Sequence, residues 1–151
     1  MLKERASGVL MHISSLPSKY GIGVFNNECI HFADRLAQMN FRYWQVLPFN
    51  PVDGSNSPYC SSSAFAGNYM FIDPETLLRD GLCTEEEYKE NIYGGSPYAA
   101  DYEFAGEKRL KLLKNAFSRI TPELAQSVKN FEKENDWLTD FSLYMSLKEF
   151  N

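Results

Sequence analysis

The chain opens with a short, nearly continuous apolar run, Gly8-Val9-Leu10-Met11-His12-Ile13. A run of that length without alternation predicts a strand buried on both faces, as in a parallel sheet. Ser14, Ser15, Pro17 and Tyr20-Gly21-Ile22-Gly23 then read as a loop. Asn26 or Asn27 can cap a helix, with Glu28 in the first turn where the exposed N–H groups favour a carboxylate. Cys29, Phe32, Ala33, Leu36 and Ala37 recur at helical spacing and give that helix its apolar face, up to Met39-Asn40. Trp44-Gln45-Val46-Leu47-Pro48 is a second short apolar run. Strand, about 13 residues of helix, then strand predicts a βαβ unit with a right-handed crossover.

Residues 49–68 show no period at all. A stretch of this length between regular elements is usually functional or disordered. Disorder is the weaker option, because Phe49, Tyr59 and Phe65 would gain by packing. Tyr69-Met70-Phe71-Ile72 reads as a brief strand. Asp73-Pro74 pairs an N-cap with a proline at the first helical position, and the short helix it opens stops at Gly81. Thr84 followed three residues later by Glu87 is a capping box. Gly94-Gly95-Ser96-Pro97 is a break. Asp101 caps the next helix, with Leu110, Leu113 and Phe117 recurring. Thr121-Pro122 opens another, with Leu124, Val128 and Phe131 on one face. Asn135 or Asp136 starts the last, with Trp137, Phe141, Tyr144 and Met145 or Leu147 inward. That helix carries no stop signal through Lys148-Glu149-Phe150-Asn151 and reads as ending in mid-stride.

Composition changes this picture at two points. Five of the seven prolines precede residue 80, and the later part is more highly charged. We therefore expect residues 1–80 to form a βαβ part carrying the loop 49–68, and residues 81–151 a helical subdomain. The length of 151 residues supports a real core but falls short of a complete (β/α)₈ barrel, which needs roughly 200 residues or more. Aromatic residues reach 15% of the chain, which suits either a Phe-heavy core or a ligand cleft. Net charge is −5 with no basic run, so a nucleic-acid backbone is not an expected partner. No apolar run approaches the roughly 20 residues of a membrane span, and the stretch from Val9 to Ile13 is too short for a secretory signal. The expected setting is cytoplasmic. Cys29, Cys60 and Cys83 lack a C-x-x-C pair and read as reduced packing residues, and two histidines are too few for a His-based metal cage.

Chemistry is concentrated where strands end, because ligands of α/β sheets and barrels bind at the C-terminal ends of the strands. The loop 49–68 offers hydroxyls (Ser55, Ser57, Tyr59, Ser61, Ser62, Ser63), amides (Asn56, Asn68) and one carboxylate, Asp53. An aromatic face covers the C–H face of a sugar ring, while hydroxyls and amides meet its O–H groups. The same composition serves a packed Ω-loop with no ligand, and the residues alone leave both readings open. Gly21-Ile22-Gly23 lacks the third glycine of a dinucleotide fingerprint, and neither G-x-S-x-G nor H-E-x-x-H occurs. His12 reads as a hydrogen-bonded core residue, His31 as a surface or partly buried one. Glu85-Glu86-Glu87 reads as a solvated first turn.

Two groups of residues then become specific. Arg5-Ala-Ser-Gly-Val-Leu-Met-His12 with Ser14-Ser-Leu-Pro-Ser-Lys-Tyr-Gly-Ile-Gly23 is one. Tyr43-Trp-Gln-Val-Leu-Pro48 with Ser57-Pro-Tyr-Cys-Ser-Ser-Ser-Ala-Phe-Ala-Gly-Asn68 is the other. Together they resemble the opening of 4-α-glucanotransferases (amylomaltase or disproportionating enzyme), in the α-amylase superfamily. Asp101-Tyr102, the helix over 110–117 and Phe141-Ser-Leu-Tyr-Met-Ser-Leu-Lys148 extend the resemblance over essentially the whole chain. Cys60 stands where the family usually has Gln, and Tyr69 where many members have Pro.

The resemblance implies an α/β fold class. The chain would be the N-terminal portion of a (β/α)₈ TIM barrel, its first two parallel strands, followed by a mainly helical inserted subdomain. It implies transfer of an α-1,4-glucan segment between maltooligosaccharides by a retaining double displacement through two carboxyls. No cofactor and no metal is implied, and the partners are maltooligosaccharides and α-1,4-glucans. The family's catalytic acids lie downstream of the matched segment, so none is assigned here and the chain is expected to be inactive alone. Of the site residues, Tyr59 would stack beside the glucose at the reaction centre and Ser57 would hydrogen-bond sugar hydroxyls. Asn68, Asp53 and Ser14 are weaker candidates for sugar contact. Trp44 and Pro48 read as barrel-core and strand-end residues. Two other readings are a non-catalytic α-glucan-binding module and a helical interaction domain built from residues 81–151. Two strands cannot close a barrel, so exposed apolar surface or self-association is expected.

Overall fold

The structure, a computed structural model, describes residues 5–150. The charged opening Met1–Glu4 and the terminal Asn151 lie outside the described residues. β1 (Gly8–Leu10) and β2 (Tyr43–Gln45) pair in parallel, with Gly8 opposite Tyr43, Val9 opposite Trp44 and Leu10 opposite Gln45. The backbone N–H groups of Met11 and Arg42 extend the ladder at either end, donating to the carbonyls of Gln45 and Ser7. A Cβ at Gly8 would stand 2.8 Å from the Tyr43 carbonyl oxygen, so the close strand approach depends on glycine.

α1 (Asn27–Gln38) is the crossover between them. Asn26 caps it by accepting from the Glu28 N–H at 3.0 Å. It closes through Met39 into Asn40, which holds the left-handed conformation at φ 61°. Cys29, Phe32 and Leu36 turn inward, and Phe32 meets the Trp44 ring edge-on at 4.8 Å. Ala33 and Ala37 are exposed, against expectation: the packed stripe is narrower than the apolar one.

The expectation that the strands would be buried on both faces also fails. Trp44 packs on α1, and its indole N–H donates to the Met11 carbonyl at 2.7 Å. Leu10, however, is 58% exposed, and Tyr43 is exposed as well. A strand is buried on both faces only when layers cover both faces, and among the described residues only these two strands form the sheet.

Tyr69–Phe71 is a single 3₁₀ turn, not a strand. Asn68 causes this locally, because its side-chain oxygen accepts the Met70 N–H at 3.0 Å and turns the chain as a cap does. α2 (Pro74–Arg79) follows with Asp73 as N-cap and stops at Gly81, whose φ is 72°. α3 (Glu85–Lys89) carries the complete capping box of Thr84 and Glu87. α4 (Tyr102–Phe117) is capped by Asp101, α5 (Pro122–Glu134) by Thr121, and α6 (Trp137–Phe150) ends the described chain.

The core gathers Ile13, Leu16, Ile22, Cys29, Met70, Phe71 and Ala105, so the loops after both strands and α4 share one interior. Gly23 is indispensable there, since a Cβ would fall 1.8 Å from the Ile13 carbonyl oxygen. α4 buries Ala105, Arg109, Leu112 and Ala116, whereas Leu110 and Phe117 are exposed. The stripe lies one position off the expected one because an arginine occupies its middle. Arg109 is 1% exposed, its Nη1 donates to the Ile72 carbonyl, and its guanidinium faces the Tyr20 ring at 5.5 Å. Burial draws its pKa down to about 10, while Tyr20 and Asp73 oppose the shift. The expected inward faces of α5 and most of α6 are not buried: Leu124, Val128, Phe131, Tyr144 and Leu147 are all exposed.

Candidate functional site

Because β1 and β2 are parallel, their C-terminal ends open on the same side. Residues 11–26 and 46–73 leave from that side and converge. His12, just past β1, stacks on Phe49, just past β2, with ring centroids 5.9 Å apart and planes inclined by 17°. Phe71 meets both rings edge-on, and Phe25 packs against Phe49 and Phe71. This aromatic floor anchors the loop 49–68 at its two ends. The Asn68 N–H donates to the Phe49 carbonyl at 2.7 Å, closing the loop at its neck.

His12 is buried as expected, and its Nδ1 has no hydrogen-bond partner. Burial holds its pKa below the ordinary imidazole value, so the ring is neutral near pH 7. The Asn68 amide is the second buried group with an unpartnered atom at this end, its Nδ2. Buried polar atoms without partners are uncommon and mark places where a ligand or water completes the set.

Above the floor the loop is held by its own hydroxyls and by one acid. Asp53 Oδ1 accepts from both the N–H and the hydroxyl of Ser55. These bonds hold the Asp53 carboxyl below its ordinary pKa, and Lys148 of α6 adds a further attraction. Its role is to shape the turn: Asn56, at φ 57°, donates its N–H to the Asp53 carbonyl. Ser57 Oγ accepts the Tyr59 N–H at 3.3 Å, and the Ser57 carbonyl accepts the Cys60 N–H. Tyr59 is thereby presented with its side chain 73% exposed. Of Phe49, Tyr59 and Phe65, all expected to pack, Phe49 is half-buried in the floor while Tyr59 and Phe65 remain largely exposed.

Of the residues singled out in the sequence, Ser57 is half-buried beside Tyr59, which is open to solvent. Asp53 braces the same turn, and Asn68 lies buried at the neck. Ser14 is buried and accepts the Tyr102 hydroxyl at 2.8 Å, which ties the first loop to α4. Phe65 and Trp137 were expected only as packing residues; Phe65 is 71% exposed, and the ring of Trp137 on α6 stacks on it at 5.8 Å with planes inclined by 21°. The Phe65 motif was visible; the partner seventy-two positions away was not. Cys60 is exposed, while Cys29 and Cys83 are buried, and all three are free.

A separate cleft of about 1120 Å³ runs between residues 17–20, the start of α1 and α2. None of the sugar-contact candidates lines it. Among the described residues no cluster of His, Cys, Asp and Glu could hold a metal ion, and no helix is long and apolar enough to cross a membrane.

A family model described as 4-alpha-glucanotransferase matches residues 11–151. A 4-alpha-glucanotransferase of Aquifex aeolicus is 44% identical over 148 residues, which is 96% of this chain and 29% of that protein. One of Thermus thermophilus is 39% identical over 150 residues, again 29% of its length. The solved structure of an amylomaltase from Streptococcus agalactiae in complex with acarbose superposes with a TM-score of 0.90 at 38% identity. It matches 97% of this chain, which spans 30% of that one.

Proposed function

This chain belongs to the 4-alpha-glucanotransferase family, and on that footing we propose that it supplies the first βαβ part of a (β/α)₈ barrel and one wall of an α-glucan cleft. In this reading residues 1–80 carry the strands and the loop 49–68, and residues 81–151 form a helical subdomain inserted beside them. The activity it serves is transfer of an α-1,4-glucan segment between maltooligosaccharides. The observation that carries the reading is Tyr59: a large aromatic side chain held open by a hydroxyl-built turn, at the end of the sheet where such folds bind ligands.

Tyr59 offers its ring to the C–H face of a glucose unit. The Ser57 hydroxyl, already accepting the Tyr59 N–H, has its own proton free to donate to a sugar oxygen. Asn68 is buried at the loop neck with its Nδ2 unpartnered, so it supports the wall from beneath. Asp53 acts through the turn it braces. Glycosyl transfer requires two carboxyls flanking the bond, and the loop contributes only Asp53, which is engaged with Ser55. The chain by itself therefore binds glucan and leaves the transfer step to acids it does not place there. Acarbose in the amylomaltase of Streptococcus agalactiae supports a sugar-shaped site in the shared architecture.

Calorimetric titration with maltoheptaose tests this. Saturable binding that Tyr59→Ala weakens by roughly tenfold or more, with an unchanged circular-dichroism spectrum, is the expected result. Equal binding by Tyr59→Ala, or none by the parent chain at millimolar sugar, would contradict it.

A further inference from the structure

We propose that Phe65 is a second stacking platform for an α-glucan ring, distinct from Tyr59 and held in place by Trp137; the inference rests on the glucan reading above. Three independent features support it. Phe65 is among the most exposed large apolar side chains, at 71%, although Trp137 stacks beside one of its faces. Its other face therefore looks outward.

The backbone that presents Phe65 is fixed from both sides. Ser63 Oγ accepts the N–H groups of Phe65 and Ala66 at 3.1 and 3.0 Å. Ser61 Oγ donates to the Ser63 carbonyl at 2.8 Å, and Asn50 Nδ2 donates to the Ala66 carbonyl at 3.1 Å. The ring is also backed. Trp137 leans on Phe141, with centroids 6.2 Å apart, and its indole N–H donates to Asn135 Oδ1 at 3.2 Å. Asn135 Nδ2 donates in turn to the Phe131 carbonyl at the end of α5. The corner between α5 and α6 thus orients the indole that holds Phe65. A platform whose rotamer is already fixed gives up little entropy when a ligand stacks on it.

The chemistry of the surroundings selects the ligand. Residues 54–72 contain no Asp, Glu, Lys, Arg or His, and the charges beside this stretch, Asp53 and Lys148 of α6, attract each other. Exposed hydroxyls at Ser61 and Ser62 flank an apolar face, which is the surface an uncharged polyhydroxylated ring requires. Six positions of chain separate Tyr59 from Phe65, a span of at most about 20 Å. An oligosaccharide of several glucose units bridges the two platforms, whereas a short one occupies Tyr59 alone.

The test uses the whole chain with maltoheptaose and maltotriose, read by calorimetry and by tryptophan emission. Phe65→Ala is expected to weaken maltoheptaose by about tenfold and to leave maltotriose within about twofold, while Phe65→Tyr restores the parent affinity. Maltoheptaose should alter the emission of the parent chain. That change should disappear in Trp137→Phe, which keeps a backing ring and leaves Trp44 as the remaining indole. Parent-like maltoheptaose affinity in Phe65→Ala, with Tyr59→Ala still impaired, would overturn the second platform and leave the first standing. Equal losses for both sugars would also overturn it, by assigning Phe65 to the Tyr59 contact. No binding of either sugar by the parent chain would overturn both readings.

Discussion

α4 and α5 show how differently two amphipathic helices can fare in one chain. Each has an N-cap accepting the N–H of the third helical residue, Asp101 for Phe104 and Thr121 for Leu124, and each shows an apolar stripe in its sequence. α5 has the more sharply segregated stripe, yet it buries none of its residues. α4, whose pattern is interrupted by a glycine and an arginine, buries Ala105, Arg109, Leu112 and Ala116, with Ala105 in the shared core and Arg109 against Ile72 and Tyr20. An apolar stripe says which face would be buried; only a partner surface decides whether it is. α4 packs beside the turn 69–71 that follows the loop 49–68, and its arginine reaches the Ile72 carbonyl just past that turn. α5 joins that region through the corner that orients Trp137.

The comparison is sharpest where equivalent truncations are made in both helices. Leu112→Ala should lower unfolding free energy by about 3 kcal/mol, the usual cost of a cavity at a fully buried leucine. Val128→Ala, on the exposed stripe of α5, should change it by less than about 0.5 kcal/mol. Urea titrations measure both; similar losses would mean that α5 belongs to the same cooperative unit.

Cap removal gives a smaller contrast. Asp101→Ala should cost about 1 kcal/mol in the main unfolding transition, as lost helix caps do. Thr121→Ala removes the same bond, but should fray α5 without moving that transition. Amide exchange along α5, set against the urea midpoint, separates the two outcomes.

The smallest expected effect is electrostatic and lies in the floor itself. The folded state holds the His12 pKa below its ordinary value because charging a buried ring is unfavourable. Below about pH 6.5 the unfolded chain takes up this proton before the folded one does, so stability present above that pH is lost as pH falls toward the folded value. His12→Phe should flatten this part of the pH–stability curve. An unchanged slope in the variant would place the titrating group elsewhere.

Much of the local structure was legible in the residues. Asn26, Asp73, Thr84, Asp101 and Thr121 all cap where their side chains suggested. Capping depends on neighbours within three positions, which a sequence displays directly. The βαβ order and its parallel pairing followed from the same kind of reading. The turn at 69–71 was misread because four apolar residues suit a strand or a turn equally well, and the Asn68 side chain decided between them. The α4 stripe was misplaced because a buried arginine carries no hydrophobic signal. At the candidate site, Tyr59 and Ser57 were legible from their motif. Phe65 gained meaning only when Trp137 was found against it, a long-range contact that no local pattern encodes.

Amide chemical-shift mapping of the labelled chain during a maltoheptaose titration tests the central claim most directly. If the loop after β2 is the glucan wall, saturable shifts will cluster at Ser57, Tyr59, Phe65 and Asn68, reach Trp137 through its stacked ring, and leave residues 122–131 of α5 unmoved. Shifts concentrated instead on the exposed face of α5, or on the cleft beside residues 17–20, would contradict the account, as would a spectrum that sugar does not change.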